Sequence, residues 1–389
     1  MSTPSASQLQ SPVALLCPEL LTEVLTHVLV PDDPFDRRGT SVIVPLLRVN
    51  KSWLSIAERQ LYRSISLSDP MTAHLLSHTL AQSVRLASLV SRLHLGTPHH
   101  IRDETRDHIT ILRQCVNVRH VKISGYNGYE LESYRSALRL KSLISFAVSR
   151  YGLADWEGDG FCTISELLDI LSCWPKLEKV LLYSDALAPS GGFEDKLYKL
   201  KACPYLKDVD FRDIDIAVTD IFSLSAIAPS VEKLRISSWP GWSDQPDVLV
   251  SSLRQWANSL HHLYLYAEEE RGYPPTPIFP PPIDAVFPSL IHLSYLYISS
   301  VQLAPASLQA AYAPLKNIHY WATLAEWEEL QWSLAKPEVL PSLEKCTVSL
   351  APEKGSRFSS FAKHRPPEAL MASLREVGAS RGVEMVFYP

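Results

Sequence analysis

Glycine is scarce in this chain, 14 residues in 389, and no nucleophile-elbow, P-loop or dinucleotide-binding glycine pattern occurs in it. Those patterns let a backbone wrap a phosphate or hold a serine on a strained turn, so their absence removes the commonest hydrolytic and nucleotide-dependent chemistries. The pairs His99-His100 and His261-His262 do not replace them, because neighbours on a strand face opposite ways and make poor joint ligands or bases. No enzymatic activity of its own and no cofactor are expected. Cysteine is confined to Cys17, Cys115, Cys162, Cys173, Cys203 and Cys346, scattered and without a C-x-x-C pair. That argues against a disulfide framework and for reduced, mostly buried thiols in the cytoplasm or nucleus. No apolar run reaches the length of about 18 residues that a membrane helix needs. The opening, Met1 to Gln10, has neither the basic start nor the apolar centre of a secretory leader, which again points to an intracellular location. Basic residues are not in excess either. With 37 Lys+Arg against 42 Asp+Glu and no long basic run, neither nucleic acid nor a membrane is an expected partner.

What the chain does have is apolar residues, 46% of the total, laid out in a repeat. Trp174-Pro175-Lys176-Leu177-Glu178-Lys179-Val180-Leu181-Leu182 reads like Cys203-Pro204-Tyr205-Leu206-Lys207-Asp208-Val209-Asp210-Phe211, and like Ala228-Pro229-Ser230-Val231-Glu232-Lys233-Leu234-Arg235-Ile236. The same three apolar positions recur at Val90/Leu93/Leu95, Val118/Val121/Ile123, Leu143/Phe146/Val148, Leu260/Leu263/Leu265, Leu290/Leu293/Tyr295, Leu315/Ile318/Tyr320, Leu343/Cys346/Val348 and Val383/Val386/Tyr388. Successive first positions lie 28, 25, 34, 29, 25, 29, 30, 25, 28 and 40 residues apart. The last two apolar residues of each template alternate on a short strand and point inward, while the first turns the chain into the core. Between strands, Ile164, Leu167, Leu168 and Leu171, and again Val248, Ser252, Leu253 and Trp256, are spaced by three and four as a helix facing a core requires.

Residues 80–389 resemble the leucine-rich repeats, whose period is about 20–29 residues. The resemblance implies the α/β class: a solenoid with a parallel sheet and helices on its convex side. The copy is divergent, with Pro98, Tyr126, Tyr151, Asp185, Ile214, Trp239 and Glu268 where that family usually has a ladder of asparagines. An irregular α/β domain with chance clusters is the competing reading.

Ahead of the repeats, residues 1–12 are expected to be disordered and residues 13–70 helical. Pro18-Glu19-Leu20-Leu21-Thr22-Glu23-Val24-Leu25-Thr26-His27-Val28 starts with a proline, whose missing N–H costs nothing in a first turn, and continues with one wide apolar face. A second run from Pro45 to Tyr62 again spaces its apolar residues helically. Together they resemble the F-box. Pro18, Glu19, Leu20 and Leu21 match its opening, with Cys17 in place of the usual leucine, and Leu46, Val49, Lys51, Trp53, Ile56, Leu61 and Tyr62 match its core and ending. The resemblance implies docking on a Skp-family adaptor, and through it on a cullin–RING ubiquitin ligase of the SCF type, with the repeats holding an unidentified protein substrate. Helix-in-groove docking uses apolar anchors, and Pro18, Leu20, Leu21, Val49, Trp53 and Ile56 are the residues expected to supply them. Some of these must instead hold the helices together. A plain helical cap closing the solenoid accounts for the same pattern.

In a repeat solenoid the residues alternating with the buried ones line the concave face: Lys179, Leu181 and Tyr183; Asp208, Asp210 and Arg212; Lys233 and Arg235; His262, Tyr264 and Tyr266; His319 and Trp321. Among them Lys179, Tyr183, Arg212, Arg235, Tyr264, Tyr266 and Trp321 are the expected substrate contacts, since Tyr, Trp and Arg are the usual interface anchors. Two other segments invite a function. Asp155, Glu157, Asp159 and Glu166 stand at the first, third, fifth and twelfth positions of an EF-hand-like loop with Gly160 at the sixth, which suggests calcium. Thr163-Ile164-Ser165-Glu166 reads equally as a capping box opening a helix. Glu268 to Pro282 is proline-dense and favours polyproline II, either as a ligand for an SH3- or WW-like module or as a solvated loop. Lys354 to Pro367 reads as a polar loop. Three functions follow from these readings: a ligase substrate receptor, a repeat scaffold with no ligase link, and a calcium-responsive protein.

Overall fold

A computed structural model describes residues 18–29, 40–48, 51–96, 102–149, 160–183, 186–188, 201–212, 214, 216–237, 245–266, 282–299, 303–311, 314–350 and 367–388. The chain divides into two compact units, Met1–Leu143 and Ile144–Pro389. The boundary expected between 70 and 80 falls inside the first of them.

Unit 1 begins with α1 (Pro18–Leu29), α2 (Thr40–Leu46) and α3 (Lys51–Arg63), which runs directly into β1 (Ser64–Ser66). Then come α4 (Pro70–Gln82), α5 (Val84–Leu89), β2 (Arg92–Leu95), α6 (Arg102–Gln114), β3 (His120–Ser124) and α7 (Leu131–Arg139). Polar residues start the helices: Asp69 Oδ1 accepts the Thr72 N–H at 2.8 Å ahead of Pro70, and Ser83 Oγ accepts that of Leu86 at 3.3 Å. Strands β1, β2 and β3 pair in parallel, with Ile65 beside Leu93 beside Val121. The repeat therefore begins one unit earlier than the sequence reading places it. Tyr62, Ile65 and Leu67 occupy the template 28 residues before Val90, Leu93 and Leu95, in letters that also spell the F-box ending.

Inside this unit His108 of α6 is buried one turn from Glu104, with Nε2 3.5 Å from Oε1. Burial, aided by the nearby charge of His94, pushes its imidazole down to about 4, so it is neutral at pH 7. The unfolded chain binds this proton near pH 6.5. Between these values the unfolded state holds more protons, so the contribution is complete above pH 6.5 and is lost as pH falls toward 4. His108→Gln is expected to flatten this part of the profile by on the order of 3 kcal/mol, read as denaturant midpoints at stepped pH. An unchanged slope would place the acid sensitivity elsewhere.

Unit 2 contains β4 (Ser145–Ser149), β5 (Cys162–Thr163), α8 (Ile164–Ser172), β6 (Lys179–Leu182), β7 (Leu187–Ala188), β8 (Asp208–Arg212), α9 (Val218–Ile227), β9 (Lys233–Ser237) and α10 (Pro246–Gln255). It continues with β10 (His262–Tyr266), β11 (Tyr295–Ser299), β12 (Asn317–Ala322), α11 (Leu324–Leu334), β13 (Lys345–Leu350), α12 (Glu368–Arg381) and β14 (Glu384–Tyr388). Apart from β5 and β7, which pair with each other, these strands lie side by side in chain order, and every neighbouring pair is parallel. Phe146, Val180, Val209, Leu234, Leu263, Leu296, Ile318, Cys346 and Met385 share one register position and form a column. From Phe146 to Cys346 every member is buried, each worth about 1.5–3 kcal/mol relative to exposure for an aliphatic or phenyl side chain. The ion pairs that also link repeats, Lys207–Glu232 at 2.7 Å and Lys316–Glu344 at 2.8 Å, are solvent-screened and contribute little by comparison.

A backbone spine runs beside the column. The Ile144 carbonyl accepts the N–H groups of Glu178 and Lys179; Glu178 accepts from Lys207 and Asp208, Lys207 from Glu232 and Lys233, and Glu232 from His261 and His262. The series continues through the carbonyls of His261, Ser294 and Lys316, with distances of 2.8–3.1 Å throughout. Main-chain groups do this bonding, so no particular side chain is needed, and the stack holds together without a repeated asparagine.

Two repeats are phased differently from the sequence reading. At β11 the template is Leu293/Leu296/Ile298, not Leu290/Leu293/Tyr295, because Leu296 pairs with Leu263. At β14 Met385 and Phe387 pair with Cys346 and Val348, so Val386 and Tyr388 face the other way. Shifts of three and of one both reverse the side of the sheet on which each side chain stands. Phe387 lies 5.8 Å from the ring of the buried Trp327 in α11, whereas Tyr388 is 54% exposed. Phe387→Ala is therefore expected to cost about 2 kcal/mol or more and Tyr388→Ala under about 1, by denaturant midpoint. Equal costs would contradict this register.

Candidate partner-binding face

The helices cover one side of the unit 2 sheet, as Trp174 against Phe146 (5.0 Å) and Trp327 against Phe387 show, and the alternate strand residues stand on the open side. Their register follows from the pairings: Leu181, Asp210, Arg235, Tyr264, Tyr297, His319, Thr347 and Val386 form one row across the strands. Arg212 and Trp321 stand two residues further along β8 and β12, and Tyr183 directly follows β6.

At one end of this row a charged cluster is built on a single carboxylate. Arg212 donates to Asp210 through Nε at 2.9 and 3.1 Å and through Nη2 at 2.6 Å, which raises the guanidinium's pKa, and its Cζ lies 5.0 Å from the centre of the Tyr183 ring. Arg235 reaches the same carboxylate only at 4.0 Å and stacks on Tyr264 with Cζ 4.1 Å from the ring centre. Beyond it the row becomes aromatic. Tyr264 and Tyr297 stack at 3.9 Å with planes 23° apart, Tyr297 lies 4.3 Å from His319, and His319 stacks on Trp321 at 5.9 Å and on Tyr388 at 6.0 Å. The Trp321 indole N–H donates to the Tyr297 hydroxyl at 2.7 Å, and His319 Nε2 meets Ser349 Oγ at 2.7 Å. Burial pushes His319 down to about 4, so the ring stands neutral in the stack at pH 7. These rings are fixed in place by neighbouring strands and lose little freedom on binding, which is what an interface anchor needs.

Lys179, Tyr183, Arg212, Arg235, Tyr264 and Trp321 all stand on this side, with Lys179 paired to Asp208 at 2.8 Å. Tyr266 lies on β10 opposite Ser237; its side chain is outside the described residues. Tyr295, Tyr297 and Tyr388 also belong to the face and were lost to the two phasing errors. The signal that recovers Tyr295 and Tyr297 is the alternation Tyr295-Leu296-Tyr297-Ile298, with aliphatic residues at both inward positions.

The six expected adaptor anchors fare differently. Trp53 is 4% exposed and forms a small core with Leu25 of α1, against which Leu46 and Ile56 pack. It holds the helices together and does not stand on the surface. Leu20 is 50% exposed; Val24, one turn on, and Val44 and Leu54 are likewise exposed. The side chains of Pro18 and Leu21 and the whole of Val49 lie outside the described residues. Of the four calcium candidates, Asp155, Glu157 and Asp159 also lie outside them. Glu166 closes a capping box on α8: its Oε2 accepts the Thr163 N–H at 2.9 Å while Thr163 Oγ1 accepts the Glu166 N–H at 3.2 Å. Among the described residues no cluster of His, Cys, Asp and Glu could hold a metal, and no helix is long and apolar enough to cross a membrane.

A parallel strand per repeat, a column of inward apolar residues and a helix returning outside the sheet decide the architecture. The fold is leucine-rich-repeat-like. No protein-family model matches the chain, and no curated protein matches it. Among solved structures it is similar to the leucine-rich repeat-containing protein LegL7 from Legionella pneumophila, at 14% identity over 88% of this chain and 96% of that one, with a TM-score of 0.37. It is also similar to TLR13 in its complex with ssRNA13, at 12% identity over 68% of this chain and 33% of that one, with a TM-score of 0.36.

Proposed function

We propose that this protein is a substrate-recognition subunit of an SCF-type ubiquitin ligase: α1 to α3 dock a Skp-family adaptor, and the open face of unit 2 holds the protein to be modified. One observation carries the adaptor half. Helices α1 to α3 close a core of their own around Leu25 and Trp53, yet leave Leu20, Val24, Val44 and Leu54 in solvent. Exposed apolar residues one turn apart on a helix are what a groove-lined partner binds. Their chain context, Pro18-Glu19-Leu20-Leu21 followed by Lys51-Ser52-Trp53 and Leu61-Tyr62, resembles that of the F-box. The protein itself performs no chemistry in this reading. A conjugating enzyme brought by the cullin–RING scaffold transfers ubiquitin, and the setting is the cytoplasm or nucleus.

Capture of a purified Skp-family adaptor by the full chain tests this. The wild type is expected to retain it, and Leu20→Glu with Val24→Glu to weaken retention about 100-fold or more, because two desolvated anchors are lost. Both residues are exposed, so the melting temperature should not move. Failure of the wild type to retain the adaptor would leave the repeat scaffold without a ligase link as the function.

A further inference from the structure

The open face of unit 2 is unevenly charged, and the imbalance indicates what it accepts. Of its carboxylates, Asp208 is taken by Lys179 and Asp210 by Arg212, while Glu384 at the far edge is taken by Lys345 at 3.0 Å. Among the described residues, Arg235 and Lys233, two residues apart on β9 and on the same side, are left over. Among the described residues Arg235 has only the 4.0 Å approach to the already occupied Asp210 and its stacking on Tyr264, and Lys233 is exposed. Burial first, and then the Lys233 charge, hold the neighbouring His262 below its usual pKa, so it adds no third cation at pH 7. Beside this spot stand the fixed rings of Tyr264, Tyr297, His319 and Trp321.

We infer that the face binds an extended acidic segment of a partner protein, with an aspartate or glutamate at Lys233 and Arg235 and an apolar or aromatic side chain on the Tyr297–His319–Trp321 rings. The spacing follows from strand geometry. Neighbouring strands lie about 4.8 Å apart, so β9 to β11 or β12 spans roughly 10–14 Å, and an extended peptide rises about 3.3 Å per residue. The acidic and apolar residues of the partner therefore stand three or four positions apart. A stacked guanidinium on Tyr264 keeps its donors aimed outward and suits a carboxylate's two oxygens. This inference rests on the receptor reading for its biological setting, but its chemistry belongs to unit 2 alone.

The test uses the full chain and three fluorescein-labelled dodecapeptides, read by polarisation: one with two adjacent glutamates and a tryptophan three residues on, one with the glutamates replaced by glutamines, and one with lysines. The acidic peptide is expected to bind at least about tenfold more tightly than the glutamine peptide and to weaken as salt is raised. The Arg235→Glu protein should lose that preference and favour the lysine peptide, with an unchanged melting temperature and unchanged retention of the Skp-family adaptor. Equal binding of the acidic and glutamine peptides, or an acidic preference that survives Arg235→Glu, would overturn the inference, as would no binding of any peptide. If the adaptor is not retained but the acidic preference holds, the ligase reading falls and the assignment of this face stands. Retention of the adaptor with no acidic preference gives the reverse.

Discussion

Gly96→Ala, a change of one methyl group, is expected to destabilise unit 1 by roughly 3 kcal/mol or more. Gly96 directly follows β2 at a φ of +137°, which side chains with a Cβ rarely adopt. A Cβ built there would lie 1.9 Å from the Ser124 carbonyl oxygen and 2.3 Å from its carbon. Both obstacles are main chain at the end of β3, so no side chain can rotate out of the way. Either β2 and β3 separate at this end, losing His94 Nε2···Ser124 Oγ at 2.8 Å, or the backbone after Leu95 is rebuilt. Gly128 is the control: it has no heavy atom within 4 Å of its would-be Cβ, so Gly128→Ala should lie within about 0.5 kcal/mol of wild type. Denaturant unfolding followed by circular dichroism compares the two, and a Gly96→Ala protein as stable as Gly128→Ala would refute the close approach.

Trp256→Ala should cost unit 2 about 3–5 kcal/mol. Trp256 ends α10 with no exposed surface, and its indole N–H donates to the Ala228 carbonyl at 2.7 Å, one repeat back at the end of α9. Removing the ring opens a cavity between two adjacent repeats and also leaves a buried carbonyl without its donor. Trp256→Phe separates these effects. It keeps most of the volume and loses the hydrogen bond, so it should cost about 1–3 kcal/mol, most of it from the orphaned carbonyl. Because each repeat touches chiefly its neighbours, amide exchange should rise first in α9, α10 and the strand β9 between them. Uniform loss of protection across the unit would mean that its repeats unfold as one block.

Helices α1 and α3 show why composition and pattern go only part of the way. The periodicity of α1 and α3 identifies which residues are apolar and on which face, but a face some 100° wide contains both the residues that join the helices and those left in solvent. Trp53 and Leu20 carry the same kind of signal in one dimension; packing sends the first inside and leaves the second in water. The overlapping templates at 290–298 pose a similar problem. Leu290, Leu293, Leu296 and Ile298 satisfy two phases, and only pairing with Leu263 selects one. At Glu166 the sequence allowed a calcium ligand or a capping residue, and the carboxylate closes the capping box on Thr163.

The sequence by itself determined the repeat, its period, the inward column through Val180, Val209, Leu234 and Leu263, and most of the residues on the open face, because alternation on a strand is a local consequence of backbone geometry. The tertiary structure alone decided the phase of β11 and β14, the carbonyl spine that links successive repeats, the need for glycine at Gly96, and the joining of Tyr264, Tyr297, His319 and Trp321 into one surface. Each of these depends on distances between neighbouring strands more than 20 residues apart along the chain, or on main-chain groups that every residue carries, and neither leaves a mark in the order of side chains along the chain.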